Sequence, residues 1–234
     1  MPINSIIVEN AVKNVAIKLE QKSKRLESTW RDQSENYLFK QLVICILSSS
    51  IKYEIALKYT ERLCNNNCLE SLIKLNIEEN LIEEHLTNPI IINGKKIRYR
   101  FPKSKAKQLY LTALNLYSQK NNIKNILNSC KDTLLIRNKI VETCSGVGLK
   151  QASMYLRNIS FSDNLAILDT HLIDYLKLLG LLPLSYTCKT KNKYLNAEKI
   201  YLGYVNNLEQ NIKYLDPAIW GTMKVYKTNV IWES

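Results

Sequence analysis

The sequence predicts an all-α fold, and two observations carry that reading. Glycine and proline, which punctuate strand-and-turn architectures, number only 6 and 5 in 234 residues. Apolar residues recur at helical spacing along most of the chain. Ile7–Leu19 places Val8, Ala11, Val12, Val15 and Ala16 on one face, and 37–47 is apolar nearly all round, as a buried helix is. Residues 51–63, 69–75 and 77–86 follow as shorter helices. Ile90-Ile91-Ile92 before Asn93-Gly94 predicts one short β-hairpin between Pro89 and Pro102. Helices resume over 103–119, 123–127, 133–144 and 150–158. Asp169 caps another that Gly180 ends near Leu179. Thr187–Lys193 reads as a loop, and helices over 199–209 and 217–226 complete the chain.

Composition narrows the function. A hydrophobic fraction of 46% and a charged fraction of 23% are ordinary, but a net charge of +12 is not. It favours a polyanionic partner and electrostatic steering toward it. The longest strongly apolar run, Leu42–Leu47, is far too short to cross a bilayer. The N-terminal stretch Met1–Lys13 lacks the pattern of a secretory signal. Six scattered cysteines in a chain able to build its own core fit free thiols in the cytoplasm. Cys64 and Cys68 lie one helical turn apart, but no nearby Cys/His pair completes a metal site.

Residues 144–171 carry the chemistry. Cys144-Ser145-Gly146-Val147-Gly148-Leu149-Lys150-Gln151-Ala152 reads as a Gly-x-Gly turn opening into a helix. Gly146 and Gly148 are expected to adopt backbone geometry closed to other residues. Amide groups at such a turn, with the helix dipole behind them, suit a phosphate. Lys150 sits where the dipole disfavours a cation, so the free amine that nucleophilic attack requires is favoured there. Leu168-Asp169-Thr170-His171 follows, with Asp169 nineteen residues after Lys150. A capping aspartate is held rigidly and can accept a proton or stabilise developing positive charge. His171 can bond a phosphate. The basic run Lys95, Lys96, Arg98, Arg100, Lys103, Lys105 and Lys107, with Tyr99 and Phe101 interleaved, is the densest in the chain. It reads as a phosphate grip or as a solvated face. A plain helix-helix turn, a solvated lysine and an ordinary N-cap are the bland readings of the same residues.

The pattern resembles the helix-hairpin-helix DNA glycosylase/lyase superfamily. Cys144–Ala152 matches its hydrophobic-Pro-Gly-hydrophobic-Gly-x-Lys-x-Ala pattern with Ser145 in place of proline, and Leu-Asp-Thr-His matches its second signature at the usual interval. A lysine at position 150 implies strand-nicking lyase activity besides base removal. The endonuclease III branch carries four closely spaced cysteines beyond the aspartate. Only Cys188 lies there, so no iron–sulfur cluster is implied. The whole length looks like type-2 8-oxoguanine glycosylase/lyases, through 42–49, Arg98–Pro102 with Lys105-Ala106, Tyr155–Asn158, Ala166–Asp169, and Leu215-Asp216 near Ile219-Trp220.

The resemblance implies two helical lobes, a central one over 37–155 ending in the hairpin at 143–150 and a second from 1–36 plus 156–234, with the helix-hairpin-helix motif at the cleft. A damaged nucleotide leaves the stack there. Lys150 and Asp169 become the catalytic pair. Gly146, Gly148, His171, Arg98, Arg100 and Lys105 become the DNA contacts. Lys227 is the nearest counterpart of a C-terminal lysine that reads the oxidised base, with Trp220 beside it. Ser50 stands where relatives place Asn or Gln to fill the gap left by the flipped base. No metal and no cofactor are expected beyond a monovalent cation on the hairpin carbonyls. The expected partner is double-stranded DNA with a damaged base, bound by a monomer away from membranes. Two alternatives remain open, the same chemistry on an oxidised pyrimidine or another modified purine, and a non-catalytic helix-hairpin-helix module that only binds DNA.

Overall fold

The computed structural model describes residues 3–23, 29–118 and 121–232; Met1, Gln119 and Ser234, which some of these expectations reach, lie outside them. Among the described residues the chain forms twelve helices and one two-stranded hairpin. It divides into two compact units: a central one, Ser28–Phe161, and a terminal one built from Met1–Glu27 with Ser162–Ser234. The central unit extends past both ends of the expected 37–155.

The central unit is organised around α2 (Glu35–Leu47), on which Leu38, Phe39 and all six residues from Leu42 to Leu47 are buried. Each such side chain contributes about 1.5–3 kcal/mol when fully removed from water, so this helix takes the middle. Ser34 starts it, its hydroxyl accepting the Tyr37 amide. Around it lie α3 (Tyr53–Asn65), α4 (Cys68–Ile73), α5 (Glu79–Thr87), α6 (Pro102–Tyr117), α7 (Ile123–Asn128), α8 (Thr133–Thr143) and α9 (Leu149–Asn158). Between α5 and α6, β1 (Ile90–Ile92) pairs antiparallel with β2 (Lys95–Ile97), Ile91 opposite Lys96. Asn93 and Gly94 have φ of 50° and 75°, the double left-handed turn that suits a two-residue hairpin.

The terminal unit packs α1 (Ile3–Lys22) and α10 (Thr170–Leu178) against α12 (Ile212–Trp232), with α11 (Lys191–Asn207) completing it. Gly180 (φ 72°) ends α10, and the Leu181 amide returns to the Leu176 carbonyl at 2.9 Å, a Schellman closure.

Two sequence expectations are corrected here. The loop expected over Thr187–Lys193 stops at Thr190, whose hydroxyl accepts the Lys193 amide and caps α11, so residues 191–193 are helical. Tyr194, Ala197, Tyr201 and Val205 bury one stripe, and that stripe outweighs the loop-like Lys/Asn/Thr composition. The last helix starts at Ile212 rather than Pro217, because the Asn211 side chain and backbone cap it from outside. Pro217 is exposed, so water can take the carbonyl its ring leaves without a donor.

Candidate functional site

The hairpin between α8 and α9 is an accounting of amides. Ser145 N–H donates to the Thr112 hydroxyl at 3.0 Å, and Val147 N–H to the Cys144 carbonyl at 3.2 Å. Gly146 and Gly148, both exposed, have no acceptor for their amides among the described residues, and the first turn of α9 adds further free N–H groups. Unpaired backbone donors at a helix start suit an anion. Glycine is demanded at position 146, where φ is 74° and a Cβ would sit 2.2 Å from Cδ of Gln108. Position 148 is otherwise: φ of −98° suits any residue, and a Cβ there meets only the Gln151 side chain at 3.4 Å. The expectation of special geometry at both glycines is thus corrected for Gly148. What its missing side chain provides is open access to the amides.

Lys150 lies in the first turn of α9, half-buried. Its Nζ contacts the Met154 thioether one turn on, at 3.8 Å, and no carboxylate of the central unit pairs with it among the described residues. The Lys150 charge also acts on buried Cys45, whose thiol burial pushes up to about 12 against that pull, so that sulfur stays protonated. Arg137 ties α8 to α9 through Ser153 Oγ at 3.2 Å, bracing both arms of the hairpin.

Lys105, expected as a DNA contact, is buried. It donates to Gln108 Oε1 at 2.8 Å, the side chain that lies against Gly146. Burial lowers its pKa. Arg98 and Arg100 are exposed on either side of buried Tyr99. The Tyr99 hydroxyl donates to the Leu47 carbonyl at 2.6 Å, and its amide to Tyr59 Oη at 3.0 Å. That pins the segment carrying the two arginines to the end of α2, where the turn carrying Ser50 begins. Ser50 is exposed with φ of 62°, a rare conformation for a residue other than glycine.

In the terminal unit, Asp169 Oδ1 caps α10 by accepting the Leu172 amide at 2.9 Å, and the other oxygen has no partner among the described residues. The strap before it is held by side chains distant in sequence. Asp216 accepts the Ile167 amide at 3.1 Å and the Tyr201 hydroxyl, while Tyr194 Oη donates to the Ala166 carbonyl at 3.0 Å. His171 Nδ1 is buried without a hydrogen-bond partner. Burial lowers its pKa; Lys227 and Lys224 push the same way, against Asp169 and Asp174. The His171 ring meets Trp220 edge-on at 6.2 Å. Trp220 is 46% exposed and carries the Lys224 ammonium over its face at 4.8 Å. Lys227 is ion-paired with Asp174. An apolar groove of about 360 Å³ between α1 and α12, lined by Ile7, Ala11, Val15 and Val225 among others, contains none of these residues.

The predicted residues therefore gather in two sets. Gly146, Gly148, Lys150 and Lys105 surround the hairpin in the central unit, where Arg98 and Arg100 share an anchor with the Ser50 turn. Asp169, His171, Trp220 and Lys227 cluster in the terminal unit. Sequence reasoning missed Gln108, Thr112 and Asn115, although with Lys105 they recur every three or four residues on α6, a polar stripe the apolar register concealed. It also missed Asp174 and Lys224, one turn from predicted residues. No group of three or more His, Cys, Asp or Glu able to hold a metal occurs among the described residues.

Comparison with known proteins identifies the family. Residues 19–210 match the model of a family described as 8-oxoguanine DNA glycosylase. A curated relative from Sulfolobus acidocaldarius, an 8-oxoguanine DNA glycosylase/AP lyase, is 34% identical over 187 residues, covering 80% of this chain and 81% of that protein. Among solved structures, the 8-oxoguanine DNA glycosylase of Thermotoga maritima superposes with a TM-score of 0.70 at 21% identity, covering 92% of this chain and 93% of that one. The 8-oxoguanine glycosylase/lyase of Methanocaldococcus jannaschii, in complex with a 15mer DNA containing 8-oxoguanine, gives 0.66 at 22% identity over 94% and 90%. The fold is that of a helix-hairpin-helix glycosylase. The chain belongs to the 8-oxoguanine DNA glycosylase family.

Proposed function

We propose that this protein excises 8-oxoguanine from double-stranded DNA and then nicks the strand, as a bifunctional glycosylase and AP lyase of base excision repair. The observation that carries the reading is Lys150, an amine at a helix entrance that no carboxylate of its own unit pairs with among the described residues, next to two free glycine amides. The hairpin holds a phosphate of the damaged strand while the lesion is extruded from the stack. Lys150 attacks C1′ as a free amine, the C1′–N9 bond breaks, and the base departs with the bonding pair. Asp169 accepts the amine proton through its uncapped oxygen and stabilises the cationic sugar. That proton passes to O4′ as the ring opens, leaving an iminium to Lys150. Loss of a C2′ proton then expels the 3′ phosphate and cuts the strand, and water releases the lysine.

His171, Arg98 and Arg100 serve as phosphate contacts, Trp220 as a surface for the base, and Ser50 as the gap-filling position. The hairpin carbonyls of Ser145, Gly146 and Val147 have no backbone donor among the described residues, so a monovalent cation fits there. The six free cysteines support a cytoplasmic protein, and no described helix is long and apolar enough to cross a membrane. The working unit is a monomer.

Borohydride should trap the protein covalently on lesion-bearing DNA, and Lys150→Gln should abolish trapping while binding persists. A second reading keeps the chemistry and changes the base. The Lys227–Asp174 ion pair favours it, because a lysine so engaged is not free to read 8-oxoguanine. A panel of single-lesion duplexes decides between the two, with fastest excision of 8-oxoguanine expected.

A further inference from the structure

We infer that Thr112 is a positioning residue for DNA: from α6, it sets the aim of the amides that grip the phosphate. The inference rests on reading the hairpin as that grip. Lys105, Gln108, Thr112 and Asn115 fall on one face of α6, and three of them touch the hairpin at successive points. Asn115 Nδ2 donates to the Thr143 carbonyl at 2.9 Å, Thr112 Oγ1 accepts the Ser145 amide at 3.0 Å, and the Gln108 side chain lies against Gly146. Lys105 in turn holds Gln108. Asn115 is exposed and Gln108 intermediate, whereas Thr112 is fully buried, so its acceptor is fixed in place.

The consequence is an alternation along the hairpin. The amides of Ser145 and Val147 are tied down within the protein, while those of Gly146 and Gly148 are left for a ligand. The Val147 bond is local to the turn. Of these two bonds, the Ser145 bond refers the turn to another helix. Without the Thr112 hydroxyl, the Ser145 amide must seek another acceptor, and the peptide that begins the turn rotates away with the two glycine amides that follow.

The test uses the whole protein well below its melting temperature. Affinity for a duplex bearing an uncleavable abasic-site analogue is measured across a salt series, beside borohydride trapping at saturating DNA. Thr112→Val, which keeps the shape and loses the acceptor, should weaken binding about tenfold and reduce the slope of log affinity against log salt by about one phosphate's worth. Trapping at saturation should change less than about twofold, the pattern of a binding defect. Thr112→Ser should behave as wild type. Ser145→Pro in the Val background should restore affinity, because proline has no amide to orphan. Should the proline variant fail to fold, the Val/Ser pair is decisive by itself. Wild-type affinity and slope in Thr112→Val would overturn the inference, as would an affinity loss shared equally by Thr112→Ser. Wild-type trapping in the same assay reports separately on the proposed function, since its absence would sink that reading whatever Thr112 does.

Discussion

The two units treat charge in opposite ways. Beside the hairpin, Lys105 is buried against an amide side chain, and Lys150 meets a thioether and pairs with no carboxylate of its unit among the described residues. The same unit carries most of the chain's net charge of +12. In the terminal unit, by contrast, several cations are occupied. Lys227 and Lys177 share Asp174, Lys213 pairs with Asp163, and Lys224 lies on the Trp220 face. The difference fits a division of labour. On the proposed function, one unit offers a positive field and the nucleophile to a polyanion. The other keeps its cations busy so that a carboxylate and an imidazole keep defined roles beside them.

The largest test of this contrast removes the central unit's key cation. Lys150→Gln should lower strand nicking by at least about a thousandfold, as loss of a nucleophile does, with duplex affinity within a few-fold in filter binding. Asp169→Asn probes the other unit. Asparagine caps a helix as well as aspartate, so thermal unfolding should shift little, while single-turnover base excision falls by about 10²–10⁴-fold for want of a proton acceptor. Equal losses of stability and rate would make Asp169 only a cap.

The two glycines sharpen the comparison further. Gly146→Ala should destabilise by about 1–2 kcal/mol in denaturant unfolding, because φ is left-handed and Gln108 fills the space. Gly148→Ala should stay within about 0.5 kcal/mol. Similar costs at both sites would contradict the backbone described above.

The smallest effect is the His171 titration. Burial leads in lowering its pKa, so NMR should place its midpoint below the ordinary 6.5. The native state then favours the neutral ring, and the unfolded chain binds more protons. The resulting stability is present above the ordinary imidazole pKa and lost as pH falls through the lowered value. Asp169→Asn removes a carboxylate that opposes the shift and should lower the midpoint again.

Much of the fold was legible in the chain because helices announce themselves through local spacing. The buried run of α2, the Asn93-Gly94 turn and the Gly180 stop each depend on a few neighbouring residues. The start of α11 was not legible, since its basic first turn reads as a loop until Tyr194 and Ala197 find a core. Nor was the burial of Lys105, which in the sequence is one more member of a basic run. The motif around Gly146 and Lys150 was visible as a pattern, yet its Ser145 looked only like a departure from proline. The structure shows what receives the extra amide.

The sequence by itself determined most of the helices, the hairpin with its lysine and the capping role of Asp169, because each depends on groups within about a turn of one another. Only the tertiary structure decided which hairpin amides are spent and which are free, that Lys227 is held by Asp174, and that Asp216 secures the strap before Asp169. Those pairings join residues 33 to 53 positions apart. Hydrogen bonds and ion pairs over such separations depend on how helices pack, and no local pattern of residues encodes that.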